Sequence, residues 1–134
     1  MNTLGRHVLA ELYGCSLDLL DDLDAVSEHL RAAAESVGAT VVGSAFHRYA
    51  PQGVSGVLLI AESHVSVHTW PEARYVAVDI FTCGGLDPRP GIRHLARAFG
   101  AESVRMHEVV RGTSKDVSDA VLPADVTVIA RDFE

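Results

Sequence analysis

Between Ala61 and Glu72 the chain reads Ala61-Glu62-Ser63-His64-Val65-Ser66-Val67-His68-Thr69-Trp70-Pro71-Glu72, with Cys83-Gly84 further on. A strand needs only apolar alternation and a turn; this one also carries hydroxyls, imidazoles and carboxylates. Serine and cysteine act as nucleophiles once activated, and histidine exchanges protons near neutral pH. Two common arrangements of such groups do not fit. His64 and His68 have the spacing of helical zinc ligands, but Val65-Ser66-Val67 alternates as a strand. Four strand residues span roughly 13 Å, too far to share one ion. The glutamate of an HExxH helix is missing as well, so no metal site is expected. Ser63 lies in no GxSxG turn, so a serine hydrolase is not indicated. Taken singly, Ser63 reads as a surface-strand serine, Cys83 as a small buried hydrophobe and His68 as a satisfied structural histidine.

In a hairpin these residues stop being independent. Trp70 to Arg74, containing Pro71, can form the loop. With Thr69 opposite Tyr75, Ser63 falls opposite Phe81, and Cys83 sits diagonally beyond it on the same face. Such neighbours lie roughly 7–8 Å apart, within reach of one small molecule. A slip of one residue changes this pairing. His68, five residues from Ser63, points to the opposite face and stands roughly 16 Å along the strand. A role for His68 at Ser63 therefore requires a second chain.

The elements that must position these groups follow from periodicity. Arg6 to Tyr13 alternates as a first strand, with His7, Leu9, Glu11 and Tyr13 on one side. Ser16 is placed to cap a helix in which Leu19, Leu20, Leu23, Val26, Leu30, Ala33, Ala34 and Val37 recur at helical spacing. Asp18, Asp21 and Asp22 crowd its positive end, and Gly38 suits its stop. Strands are expected at 39–48, 54–62, 64–69 and 75–83. Asp87-Pro88 opens a second helix, with Ile92, Leu95, Ala96 and Phe99 facing the core and Gly100 closing it. Ser103 to Val110 forms a last strand. From about residue 113 the chain turns to Ser, Lys and Asp and reads as a loosely held tail, 113–134, in which Val126 to Ile129 has the composition of an edge strand.

This order is not the steady alternation of a parallel α/β fold. It predicts an α+β two-layer sandwich, a largely antiparallel sheet with two helices on one face. The strands at 54–62 and 75–83 are apolar on both parities, so the other face needs a cover too, and self-association supplies one.

Size and composition set the remaining limits. The 134 residues fit a single domain, 1–134, and 48% hydrophobic with 22% charged residues is ordinary for a globular protein. No segment approaches the roughly 18 consecutive apolar residues of a membrane span, and the N-terminus lacks a secretory pattern. Cys15 and Cys83 stand in no CxxC arrangement, which makes a cytoplasmic protein with free thiols the expectation. A net charge of -7 argues against a nucleic-acid partner and is compatible with a cationic substrate.

Several blocks of this sequence closely resemble the prokaryotic S-adenosylmethionine decarboxylase proenzymes, a pyruvoyl-dependent family. They are Gly5-Arg6-His7, Thr40 to Tyr49 with Phe46-His47-Arg48, Gly53-Val54-Ser55-Gly56-Val57, Ala61 to Glu72, and Asp79-Ile80-Phe81-Thr82-Cys83-Gly84. The similarity covers about residues 4–112; the tail carries no motif of the family.

The resemblance implies self-cleavage between Glu62 and Ser63, giving chains 1–62 and 63–134, with Ser55 and His68 assisting. Ser63 would become a covalent pyruvoyl group, and neither pyridoxal phosphate nor metal would be needed. The ketone would take the substrate amine as a Schiff base and supply the electron sink that decarboxylation requires. Cys83 would return a proton to Cα, a role suited to a thiol whose pKa responds to nearby charge. Tyr49 would meet adenine or the sulfonium, Glu72 the ribose hydroxyls, and Val65 the adenine edge through its backbone. Glu11 is a candidate carboxylate for a cationic substrate, though by residue type it reads first as a solvated strand residue. The implied reaction converts S-adenosyl-L-methionine to its decarboxylated form, the aminopropyl donor for spermidine, in an (αβ)2 homodimer. The same machinery serves relatives acting on L-arginine or L-ornithine, and a noncatalytic regulatory paralogue is a further alternative.

Overall fold

Described over residues 3–113, the computed structural model contains six strands and three helices. In chain order these are β1 (Thr3–Tyr13), α1 (Leu17–Leu20), α2 (Leu23–Ser36), β2 (Thr40–Arg48), β3 (Val54–Ala61), β4 (Ser63–Trp70), β5 (Tyr75–Cys83), α3 (Arg89–Ala98) and β6 (Ser103–Thr113). The strands form one sheet in the order β2-β3-β4-β5-β1-β6, and every adjacent pair is antiparallel. The expected α+β sandwich is therefore observed, with a sheet that is antiparallel throughout. The tail from residue 114, including Val126 to Ile129, lies outside the described residues.

Alternation sorts the central strands into two faces. Val8, Ala10 and Leu12 of β1, Leu58 and Ile60 of β3, Val65 and Val67 of β4, and Val76, Val78 and Ile80 of β5 are buried together. They lie under α2 and α3, which contribute Val26, Leu30, Ala33, Ala34, Ile92 and Leu95, with Phe99 just beyond α3. Full burial of each Val, Leu or Ile is worth roughly 1.5–3 kcal/mol, which makes this layer the source of the fold's rigidity. None of the described helices is long and apolar enough to cross a membrane.

Two local expectations are corrected. The first predicted helix is two helices, broken at Asp21-Asp22. Asp22, not Ser16, makes the side-chain cap, accepting from the Ala25 N–H at 3.1 Å. Asp21 turns the other way and accepts from the Gly53 N–H at 2.8 Å and from Arg48 at 2.6 Å. Those bonds hold its carboxyl below the usual carboxylate range, the Gly53 amide contributing most. The break falls where two neighbouring acceptors serve different partners.

The β4–β5 register also differs by one residue. Trp70 pairs with Tyr75 and Thr69 with Val76, so Ser63 lies opposite Thr82 rather than Phe81. The cause is the connection: Pro71–Ala73 winds into a 3-10 turn, and Arg74 closes it at φ +50°. Trp70 and Tyr75 then stack at 5.2 Å and become the last pair of the ladder. Cys83 consequently does not share Ser63's strand parity. It is the residue after Ser63's partner.

Candidate active site

The face without helices carries the reactive side chains. By register it presents His7, Leu9 and Glu11 of β1, Ser55 and Leu59 of β3, His64, Ser66 and His68 of β4, and Asp79, Phe81 and Cys83 of β5. They collect in two groups, one at each end of β4.

The first group surrounds Ser63. This residue is half-buried and holds φ at +133°, outside the range that L-residues adopt without strain. Its partner Thr82 is fully buried and donates its hydroxyl to the Leu86 carbonyl at 2.7 Å. The Gly84 N–H donates to the Leu4 carbonyl, and the Leu86 N–H to that of Cys83. Cys83 is thus fixed at the end of β5, half-buried, between two anchored turns. Its cross-strand partner is Gly5, where a Cβ would collide with the Phe81 ring. Cys15 has a different environment: it is fully buried, and burial pushes its thiol up to about 11. Of the two thiols, only Cys83 stands where a ligand can meet it.

Beside this group lies a constellation that sequence reasoning did not assign. The Asp79 carboxylate is hydrogen-bonded by His7 Nε2 at 2.7 Å and His64 Nε2 at 2.6 Å on one oxygen, and by the Ser66 hydroxyl on the other. Burial alone would raise this carboxyl, but the bonds from Ser66, His7 and His64 outweigh it and hold Asp79 below the ordinary range. One ligand atom each from His7, His64 and Asp79 lies within 4.8 Å of the others, close enough to gather an ion. Their mutual hydrogen bonds already satisfy them, with both imidazoles directing Nε2 at the same oxygen. The predicted register sets Asp79 opposite Val65, on the other face from His64, and nothing local pairs residue 7 with residue 79.

The second group gathers at the far end of β4. Ser55 pairs with His68 across β3 and β4, and the Ser55 hydroxyl meets His68 Nδ1 at 2.8 Å. Tyr49, Gln52, Ser55, His68, Trp70 and Glu72 line an open cavity of about 350 Å3. Tyr49 is exposed and stands edge-on to His47 at 4.6 Å. Glu11 is not a free carboxylate, because it accepts from the Tyr75 hydroxyl at 2.6 Å; burial and this carboxylate both push the phenol's pKa up. Val65 is fully buried and paired with Leu58 on β3 and Ile80 on β5. The structure therefore joins Tyr49, Ser55, His68 and Glu72 and sets them apart from Ser63 and Cys83 within one chain.

Residues 6–112 match the family model described as S-adenosylmethionine decarboxylase. The chain belongs to this family. An S-adenosylmethionine decarboxylase proenzyme of Carboxydothermus hydrogenoformans is 51% identical over 113 residues, covering 84% of this chain and 89% of the relative. That of Fervidobacterium nodosum is 47% identical over 118 residues, covering 87% and 86%. Among solved structures, the adenosylmethionine decarboxylase from Aquifex aeolicus VF5 superposes with a TM-score of 0.77 at 30% identity, over 95% of this chain and all of that one. The S-adenosylmethionine decarboxylase fold thus spans both groups of side chains.

Proposed function

We propose that this chain is an S-adenosylmethionine decarboxylase proenzyme that cuts itself between Glu62 and Ser63 and acts in polyamine biosynthesis. Family membership supports the activity. The observation that carries the cut site is the backbone of Ser63. Its φ of +133° is costly because a tetrahedral L-carbon brings Cβ against the preceding carbonyl. A pyruvoyl group at this position has a trigonal carbon and no backbone nitrogen, so the source of the strain is removed. The residues present fit the group.

In the cut, the Ser63 hydroxyl attacks the Glu62 carbonyl and the amide becomes an ester, freeing the nitrogen of residue 63. Loss of the Ser63 α-proton then expels the Glu62 carboxylate by β-elimination. Addition of water at the resulting unsaturated carbon releases ammonia and leaves the ketone. When formed, that ketone supplies the electron sink for loss of carbon dioxide from an α-amino acid. Cys83, one step along β5 from the partner of Ser63, holds the proton returned to the substrate's Cα. Tyr49 and Glu72 offer an aromatic face and a carboxylate to the nucleoside part.

His68 and Ser55 stand five or more residue steps from Ser63, roughly 16 Å along the strand. In this reading a second copy covers the open face and supplies its Ser55–His68 pair to the end of β4 at which the first copy is cut. Exposed Leu9, Leu59 and Trp70 on that face favour such a cover. The names of the relatives favour S-adenosylmethionine over arginine or ornithine as substrate.

Denaturing mass spectrometry tests the cut. Wild-type protein should give two fragments, the C-terminal one lighter than encoded, and Ser63→Ala should remain one chain of 134 residues. Cutting in Ser63→Ala sinks the reading. Mixing Ser63→Ala with His68→Ala chains should restore cutting only through a shared site. Carbon dioxide release from arginine or ornithine, with none from S-adenosylmethionine, would reassign the substrate.

A further inference from the structure

We propose that His64, seated on Asp79, is a positioning residue that clamps the chain end created at residue 63 and keeps its ketone aligned for turnover. This rests on the proposed cut between Glu62 and Ser63. Before the cut, residue 63 is held from both sides by covalent chain. Afterwards it is a terminus, and termini fray unless something ties them down. Release of ammonia also removes its backbone nitrogen, so residue 63 has no N–H left to give to a ladder. Its only covalent support is the amide of His64. His64 is therefore the first residue of the new chain with both a backbone N–H and a side chain to hold on with.

The side chain has a seat. His64 pairs by backbone with Leu59 and Phe81, while its Nε2 reaches diagonally to Asp79 at 2.6 Å. A ladder alone resists sliding only through its register, and a diagonal tie is broken by a slip of one residue. Asp79 is itself immobilised from two more directions, by His7 of β1 and by Ser66 of β4. One carboxylate thus fastens three adjacent strands at the end that receives the cut. Its depressed pKa keeps it ionised, so these are charge-assisted bonds, roughly twice as strong as neutral ones. Phe81 stacks on His7 at 4.9 Å and meets His64 edge-on at 5.9 Å, which limits the swing of both rings. The tie matters because a displacement of about 1 Å at a reacting centre costs on the order of 100-fold in rate.

The experiment compares wild type, His64→Ala, His64→Gln, Asp79→Asn and the double variant His64→Ala/Asp79→Asn. For each, mass spectrometry follows cutting, borohydride reduction counts ketone, and steady-state kinetics on S-adenosylmethionine give kcat and KM. We expect cutting and ketone content within about threefold of wild type in every variant, because the clamp acts on the finished end. In His64→Ala and Asp79→Asn, kcat should fall roughly 10- to 100-fold with KM nearly unchanged. The double variant should lose no more than His64→Ala, since the two act through one bond. His64→Gln, which keeps an N–H at similar reach, should recover most of kcat. Wild-type kcat in fully cut His64→Ala overturns the clamp, as does additive loss in the double variant or a rise in KM alone. Folded variants that stay uncut overturn it too, because the tie would then act before the end exists. Should His64→Ala not fold, the nearly isosteric Asp79→Asn decides on the same criteria. Wild-type protein without cut or ketone would instead sink the functional reading.

Discussion

On the helix-covered face, β4 presents Val65 and Val67 and β5 presents Val76, Val78 and Ile80, all buried. On the opposite face the intervening residues of the same strands are His64, Ser66 and His68, then Ala77, Asp79, Phe81 and Cys83. The two sets interleave residue by residue and obey different constraints. Under the helices a polar group without a partner would cost several kcal/mol, so the layer is apolar apart from Thr69 and Thr82, whose hydroxyls are hydrogen-bonded. On the open face polar groups are kept half-solvated or bonded to one another, as in the Asp79 cluster and the Ser55–His68 pair. The difference shows how a sheet of modest size supports chemistry. One face fixes register and the other spends that register on positioning.

The sharpest break of the comparison is expected at Cys83. Cys83→Ala should still be cut but lose roughly 100- to 10,000-fold in turnover, the range for a proton-transfer group. Unchanged turnover would remove Cys83 from that role and leave the open face without its acid. Next come adjacent residues on opposite faces. Leu58→Ala, under the helices, should lose about 2–5 kcal/mol in a denaturant titration. Leu59→Ala, exposed, should change the stability of the separated chain by no more than about 0.5 kcal/mol. The same variant should weaken self-association in sedimentation; intact association would detach Leu59 from any cover.

A smaller effect is expected in acid. Asp79 has a depressed pKa in the folded state, so its bonds contribute stability above the unfolded value of about 3.9. That contribution is lost as pH falls through the lower folded value. Asp79→Asn should flatten the acid limb of a stability–pH curve, and an unaltered limb would show the cluster to be energetically silent. The smallest perturbation is thiol labelling of the native protein. Cys83 should react and Cys15 should not, because Cys15 is buried with its thiol raised to about 11. Simultaneous labelling would mean the helix-covered layer opens as readily as the active face.

How far the site was legible differs by residue. Ser63, His68 and Cys83 stood out by type within a strand that did not need them. The separation of His68 from Ser63 followed from counting along that strand. Their hairpin partner was misjudged by one position, because the Pro71–Ala73 turn and the Trp70–Tyr75 stack are not encoded in alternation. The helix break at Asp21-Asp22 escaped for a similar reason: its cause is an acceptor used by Arg48 and Gly53, remote in the chain. Glu11 reads from the sequence as a solvated strand carboxylate, and the fold brings the Tyr75 hydroxyl onto it from 64 positions away.

By itself the sequence determined the strands, the helical layer and the reactive set, since periodicity and residue type act over a few neighbours. Only the tertiary structure decided which of those residues meet. The sheet order inserts β1 between β5 and β6, and that one topological choice brings His7 to Asp79 across 72 positions of chain. Contacts of that range depend on which strand edges pair, and the pairing is selected by the packing of the whole sheet against its helices.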